Sequence, residues 1–209
     1  MSHPGVSALG ALPTAEEFEA FVIKLFGQRG GTGKKQKPTA AVGYLKGQAG
    51  LYLVVQKGAV SHDTLASAGQ LWKEKWAADV VKVGEFEDDD EEEEDDAVMD
   101  ASWLASSRLK KSERTGFHAE MVVVSAMLSA NNWKPKTLGE LKTYIAAQQG
   151  AMIVANAQAC KHCGNFMTET GIGFVGGIGA ASLTGWWNPI LDRVFAHGGT
   201  EWGKSVPGL

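Results

Sequence analysis

The feature that most constrains the fold is a hairpin pattern at residues 39–58. Two runs rich in valine, leucine and tyrosine flank the short glycine-containing segment KGQAG. This pattern is typical of two antiparallel strands joined by a tight loop. A helical pattern precedes it, and strand and helix patterns alternate after it. The order predicts an α/β protein, a three-layer α/β/α sandwich with a mixed central sheet.

The individual elements follow from local patterns. At 13–28, Thr14 and Glu17 have the spacing of a capping box, and apolar residues recur behind them at helical intervals. The helical segment 117–133 is apolar on nearly every side, which indicates burial on more than one face. The sequence also predicts helices at 62–79, 97–109 and 136–150, a helix that begins at 160, strands at 80–86 and 151–157, and one more helix or strand at 188–195.

Two segments differ in composition from the rest of the chain. The first helix and a basic linker, RGGTGKKQK at 29–37, make an N-terminal region that spans 1–38. The remaining residues, 39–209, make one domain. Within this domain, ten consecutive acidic residues at 87–96 repel one another, so we expect a disordered insertion there.

Charge and cysteine content limit the functional classes. Outside the acidic run, 14 acidic residues stand against 20 lysines and arginines, so the body is basic although the whole chain carries −4. Two cysteines exclude a disulfide-rich secreted scaffold. The first residues lack the pattern of a signal peptide, and glycines crowd the uncharged stretch between Glu169 and Asp192. We therefore expect no membrane span and a cytoplasmic location.

Cys160 and Cys163 form a C-x-x-C pair at a predicted helix start. Such a pair belongs to a redox dithiol, to a structural zinc site or to a catalytic one. At this spacing on a first helical turn, both side chains point the same way, and the helix N-terminus favours thiolates. Zinc takes about four ligands, so two thiolates alone do not complete a site.

His118 is the histidine best placed to add a third ligand. It stands at the predicted start of an apolar helix, with Glu120 two residues further on. Two helix starts, one with a histidine and one with two cysteines, would give three ligands and an open fourth position, which is typical of catalytic zinc. Zinc would lower the pKa of water there toward ~7, and Glu120 would move its proton. The sequence therefore predicts Zn²⁺ bound by His118, Cys160 and Cys163.

These residues carry a family resemblance. The segments HAE at 118–120 and CKHC at 160–163 resemble the zinc signature of the cytidine-deaminase-like superfamily, H-x-E…P-C-x-x-C. The α/β order is also similar to that fold, in which the two motifs begin two helices under a central sheet. Ala159 stands where the signature has proline, and the interval between the motifs leaves room for an extra helix. In both respects the chain resembles the divergent deaminases of bacterial polymorphic toxins.

The resemblance implies a zinc-dependent hydrolytic deaminase of a nucleobase, with Glu120 as general acid and base. Cytosine in single-stranded DNA or RNA comes first among the substrates. Trp186 and Trp187 are candidates for a platform on which a base stacks, and Asn188 is a candidate for a hydrogen bond to the base edge. A toxin-type effector would leave the cell by a non-classical route and would have an immunity protein as a partner.

Several alternatives stay open at the level of sequence. The substrate alternatives are a free nucleoside or nucleotide and a purine base. The functional alternative is a non-catalytic, zinc-stabilised module that binds nucleic acid or a protein. For the two cysteines the alternative is a structural zinc site or a buried dithiol, and for the two tryptophans it is core packing. The oligomeric state is also open.

Overall fold

A five-stranded mixed sheet organises the chain, and helices pack on both of its faces. The computed structural model describes residues 12–27, 40–48, 51–56, 70–71, 74, 80–86, 118–179, 186–190 and 193–195. In chain order the elements are α1 (Ala15–Phe26), β1 (Ala40–Leu45), β2 (Leu51–Gln56), β3 (Val80–Phe86), α2 (Ala119–Ala130), α3 (Leu138–Ala147), β4 (Ala151–Ala155), α4 (Lys161–Thr170), β5 (Ile172–Phe174), β6 (Trp186–Asn188) and β7 (Arg193–Phe195). The predicted α/β class is confirmed.

The strand order of the sheet is β3-β2-β1-β4-β5. β1 and β2 form the predicted antiparallel hairpin, and β1 also pairs antiparallel with β4. β3 runs parallel to β2, and β5 runs parallel to β4, so the sheet is mixed as predicted. The segment predicted as one helix or strand at 188–195 contains the last residue of β6, a turn at Pro189 and Ile190, and the strand β7. β6 and β7 pair antiparallel in a separate two-stranded sheet.

Side chains of the central strands alternate between two apolar clusters, one on each face of the sheet. In β1, Ala40, Val42 and Tyr44 belong to the cluster that contains α1. Ala41 and Leu45 belong to the other cluster, which contains residues of α2, α3 and α4. This alternation is the two-residue period of a strand that is covered on both faces.

Helix α1 begins with the predicted capping box. The Glu17 amide donates to Thr14 Oγ1 at 3.2 Å, and the Thr14 amide donates to Glu17 Oε2 at 3.0 Å. The apolar stripe of the helix then packs on the sheet, where Phe18 meets Tyr44 edge-on with ring centroids 4.9 Å apart. Helix α1 is therefore part of the same packed body as the sheet.

Helix α2 lies close against β1, and its position is set at Gly43. A Cβ atom at Gly43 would stand 2.5 Å from Met127 Cε and 2.7 Å from Val123 Cγ1, closer than carbon atoms can pack. Glycine therefore allows the helix to approach the strand. Residues 119–124 of α2 are all buried, which confirms the predicted burial on more than one face.

The predicted helix at 136–150 is α3. Thr137 caps it by accepting from the Glu140 amide, and the chain leaves it through Gln149 and Gly150, which both have positive φ. The short strand β5 lies in the uncharged stretch that follows Glu169. Within the described parts of the chain, no helix combines the length and apolar character that a bilayer crossing requires.

Four sequence predictions cannot be compared with the structure in full. The basic linker at 29–37, the acidic run at 87–96 and the helix at 97–109 lie outside the described residues. Most of the helix at 62–79 does as well, although Gln70, Leu71 and Glu74 are helical.

Candidate metal centre

His118 stands immediately before α2 as its N-cap residue. Its backbone is extended, with φ −94° and ψ 137°, and its side chain makes no capping hydrogen bond. The imidazole instead faces the cysteine pair. Its Nδ1 atom lies 3.1 Å from Cys160 Sγ and 3.3 Å from Cys163 Sγ. The three residues predicted as ligands are therefore brought together.

The two cysteines occupy the start of α4. Cys160 is the N-cap residue and Cys163 lies in the first turn, where its amide donates to Cys160 Sγ at 3.4 Å. The sulfur of Cys160 thus takes the place of the oxygen in an ordinary N-cap. Cys160 is partly buried, whereas Cys163 is fully buried.

The sheet explains why these two helix starts meet. Asn156 follows β4. Its side-chain Oδ1 accepts from the Ala40 backbone amide at 3.0 Å, and its backbone amide donates to the Ala40 carbonyl at 3.0 Å. These bonds hold the carboxyl end of β4, which leads to the cysteines, beside the first residue of β1. Helix α2 packs across β1 at Gly43, and the first residue of α2 therefore lies at the same edge of the sheet.

The pKa values of the two thiols are shifted in opposite directions. The hydrogen bond from the Cys163 side chain holds the pKa of the Cys160 thiol well below its usual value, and the neighbouring His118 lowers this pKa further. Burial raises the pKa of the Cys163 thiol well above its usual value, and the neighbouring Cys160 adds to the shift. Two adjacent thiolates repel each other in a buried site, so the protein alone supports one thiolate and one thiol.

Glu120 is in the first turn of α2, two residues after His118, and its side chain is 6% exposed. Burial is the main reason why the pKa of its carboxyl is raised, and the positive charge of His118 opposes that shift. The interaction with the Cys163 side chain also opposes the rise in the pKa of this carboxyl. A buried carboxyl group therefore stands directly beside the ligand set.

The donor set fits zinc. An imidazole nitrogen and two thiolate sulfurs are the ligands that Zn²⁺ prefers, and a tetrahedral ion with bonds of about 2.0 and 2.3 Å would separate nitrogen from sulfur by about 3.5 Å. The distances of 3.1 and 3.3 Å need to open by only a few tenths of an ångström to reach that value. A divalent cation would also stabilise both thiolates, which the protein alone does not do.

The described part of the chain supplies three ligands to this group, not four. The donor atoms of His118, Cys160 and Cys163 lie within 4.8 Å of one another, and no further histidine, cysteine or carboxylate in the described ranges joins them. His162, between the cysteines, is not among the three ligands, and its ring centroid lies 6.0 Å from that of Trp186. The described residues would therefore leave one position of a four-coordinate zinc ion unfilled.

The three residues predicted to bind substrate lie in β6, and all are buried. The indole nitrogen of Trp186 donates to Cys163 Sγ at 3.3 Å, and Asn188 Oδ1 accepts from the Ile190 amide at 2.8 Å. Trp187 is 4% exposed. Their role toward a substrate stays a prediction. The contact between Trp186 and a metal ligand was not predicted from the sequence, where only the proximity of the WW pair to the C-x-x-C helix could have suggested it.

A second unpredicted contact borders the cysteine helix. Gly179 donates its amide to the Ala159 carbonyl at 2.8 Å, and Ile178 forms an isolated parallel bridge with Ala159, the residue before Cys160. Ile178 also covers Gly164, where a Cβ atom would be 2.5 Å from Ile178 Cγ1. The segment around Ile178 therefore packs against the first turn of α4.

Comparisons with known proteins identified no relative of this chain. No protein-family model, no curated protein and no solved structure matches the chain.

Proposed function

We propose that the protein is a zinc-dependent hydrolytic deaminase of a nucleobase, with cytosine in single-stranded DNA or RNA as the first candidate substrate. One observation carries this proposal: His118 Nδ1 lies within 3.3 Å of both cysteine sulfurs, while Glu120 is buried two residues further along the helix that His118 caps. His118, Cys160 and Cys163 would hold the zinc ion. Zinc in such an open site acts as a Lewis acid that activates water for nucleophilic attack.

Glu120 is the residue that would handle protons. Hydrolytic deamination adds water to a ring carbon and releases the exocyclic amine as ammonia, so one group must take a proton from water and return protons to the ring nitrogen and the leaving amine. A carboxyl group can do both. Glu120 is buried next to the ligands, and α2 is fixed against the sheet, so its carboxyl is held in a constant position.

The proposed fold is the three-layer sandwich of the cytidine-deaminase-like superfamily. Two observations support it. Helix α1 belongs to the apolar cluster on one face of the sheet, while α2 and α4 belong to the cluster on the opposite face. The HAE segment begins α2 and the C-x-x-C segment begins α4. The two motif helices thus lie under one central sheet, as the resemblance implies.

A polymeric substrate is favoured by charge. Outside the acidic run, lysine and arginine exceed acidic residues, and phosphate backbones are attracted to such a body. Trp187 and Asn188 stay candidates for contacts to the base. If the chain is a toxin-type effector, an immunity protein is its further partner.

Sequencing of reaction products tests the proposal. Zinc-loaded protein is incubated with mixed-sequence single-stranded DNA and RNA, and in parallel with free nucleosides while released ammonia is measured. We expect cytosine to be read as thymine after incubation with the polymers. Ammonia from nucleosides alone would reassign the substrate, and adenine read as guanine would reassign the base. Bound zinc without any base change or ammonia would contradict the deaminase and favour the non-catalytic module.

A further inference from the structure

We propose that Trp186 is a positioning residue of the metal centre, whose indole N–H group holds and stabilises the Cys163 thiolate for zinc. This inference rests on the proposed zinc site. It gives Trp186 a role different from the stacking role that the sequence suggested, because its indole nitrogen contacts a proposed metal ligand.

The geometry of the N–H···S contact is the first observation behind this assignment. The indole nitrogen of Trp186 lies 3.3 Å from Cys163 Sγ, within hydrogen-bonding distance for a sulfur acceptor. Indole nitrogen donates and never accepts, so the sulfur is the acceptor. Among the described residues, the sulfur of Cys160 accepts from the backbone amide of Cys163, and the sulfur of Cys163 accepts from the indole N–H group.

The second observation is that Cys163 is shielded from water. Its side chain is fully buried, so water does not solvate the negative charge that metal binding requires. His118 cannot supply a hydrogen bond once its Nδ1 atom binds the ion, because that nitrogen then carries no proton. Among the described residues, the indole N–H group then stabilises the charge on Cys163 Sγ. Partners of this kind orient metal ligands and tune their basicity.

The third observation is that the indole is fixed in place. Trp186 lies in β6, paired with Phe195 of β7. Its ring packs against Phe166, with centroids 5.8 Å apart, and Phe166 lies on the same helix as Cys163. Packing thus holds both the indole N–H donor and the Cys163 Sγ acceptor in place. Neither side chain needs to become more ordered for this hydrogen bond when zinc binds.

The test compares two variants that disturb the same ring pair. Trp186→Phe removes the N–H group and keeps an aromatic ring, whereas Phe166→Leu disturbs the packing of Trp186 and keeps the N–H group. Zinc affinity is measured by competition with a chromogenic chelator, and the thiolate-to-metal charge-transfer band is recorded with Co²⁺ in place of zinc. We expect about 10- to 100-fold weaker zinc binding in Trp186→Phe and a much smaller loss of affinity in Phe166→Leu, which keeps the N–H donor.

The spectrum separates an electronic role from a purely structural one. Loss of the N–H group leaves the sulfur lone pairs at higher energy, so we expect the charge-transfer band of Trp186→Phe to move to longer wavelength. If that variant does not fold, benzothienylalanine at position 186 keeps the ring shape and replaces N–H by sulfur. Wild-type affinity together with an unshifted band, in Trp186→Phe or in the variant with benzothienylalanine at position 186, would overturn the role of Trp186 and leave the proposed zinc site intact. Failure of the wild-type protein to bind zinc or cobalt would overturn both.

Discussion

Replacement of Glu120 by glutamine is expected to abolish deamination while zinc stays bound. Glutamine has nearly the same shape as glutamate, but it cannot take up and return protons. A positioned general acid and base contributes about 10² to 10⁴-fold to a rate, so kcat should fall by roughly that factor. The three proposed ligands are untouched, so zinc content should stay at the wild-type value.

The measurement is kcat on single-stranded DNA or RNA, together with zinc per chain and the thermal unfolding midpoint. Glu169→Gln is the matched control, because Glu169 lies on the exposed side of α4, the helix that carries the cysteines. We expect this control to keep wild-type activity. Wild-type turnover in Glu120→Gln would refute the assignment of Glu120, and loss of zinc would show that Glu120 is a metal ligand instead.

Replacement of Cys163 by alanine is expected to remove zinc and the stability that zinc supplies. The variant lacks one of the three ligands, and the remaining two do not hold zinc tightly. An ion that binds the folded chain alone stabilises it by about 2.7 kcal/mol when the free ion is at about 100 times its dissociation constant. The wild-type protein should therefore gain thermal stability on addition of zinc, and Cys163→Ala should not.

Unfolding is followed in chelator and in buffered zinc, so that the zinc-dependent difference is separated from the packing lost with one sulfur atom. Met167→Leu is the control on the same helix. Met167 is buried, and an exchange of methionine for leucine nearly conserves volume. It should show the full zinc-dependent gain. An equal gain in Cys163→Ala would exclude Cys163 from the metal site.

Local patterns predicted those parts of the fold that depend on neighbours in sequence. The capping box of Thr14 and Glu17 requires contacts over three residues, and it is present. The hairpin, the helix start at Cys160 and the burial of α2 also depend on local sequence, and they too are present. The apolar residues of α2 leave no polar face. The packing of α1 on the sheet could not be predicted in this way. An apolar stripe such as that around Phe18 indicates that one face of a helix is buried, but not which element buries it.

The three residues that the structure groups as possible metal ligands were predicted from the sequence, but their assembly depends on long-range pairing. His118 and Cys160 are 42 residues apart, and they meet because β4 pairs with β1 and because Gly43 lets α2 approach the sheet. None of these contacts follows from the spacing of the motifs. The bond between Trp186 and Cys163 spans 23 residues and was not foreseen for the same reason.

Short strands were the other difficulty. β5, β6 and β7 each contain three residues, which is too few for a two-residue alternation to stand out. The glycines between β4 and β6 further obscure the pattern. Gly176 and Gly177 both adopt positive φ, and they turn the chain so that Ile178 runs beside Ala159. The sequence pattern of this stretch does not indicate which strand it accompanies.

X-ray absorption at the zinc edge of the wild-type protein tests the central claim most directly, namely that His118, Cys160 and Cys163 hold one zinc ion with an open position. The predicted spectrum has two sulfur atoms at about 2.3 Å and two nitrogen or oxygen atoms at about 2.0 to 2.2 Å, with the scattering of a single imidazole. Four sulfur ligands, which would require two chains because each has two cysteines, would contradict the claim. A second imidazole, or a purified protein that retains no zinc, would contradict it as well.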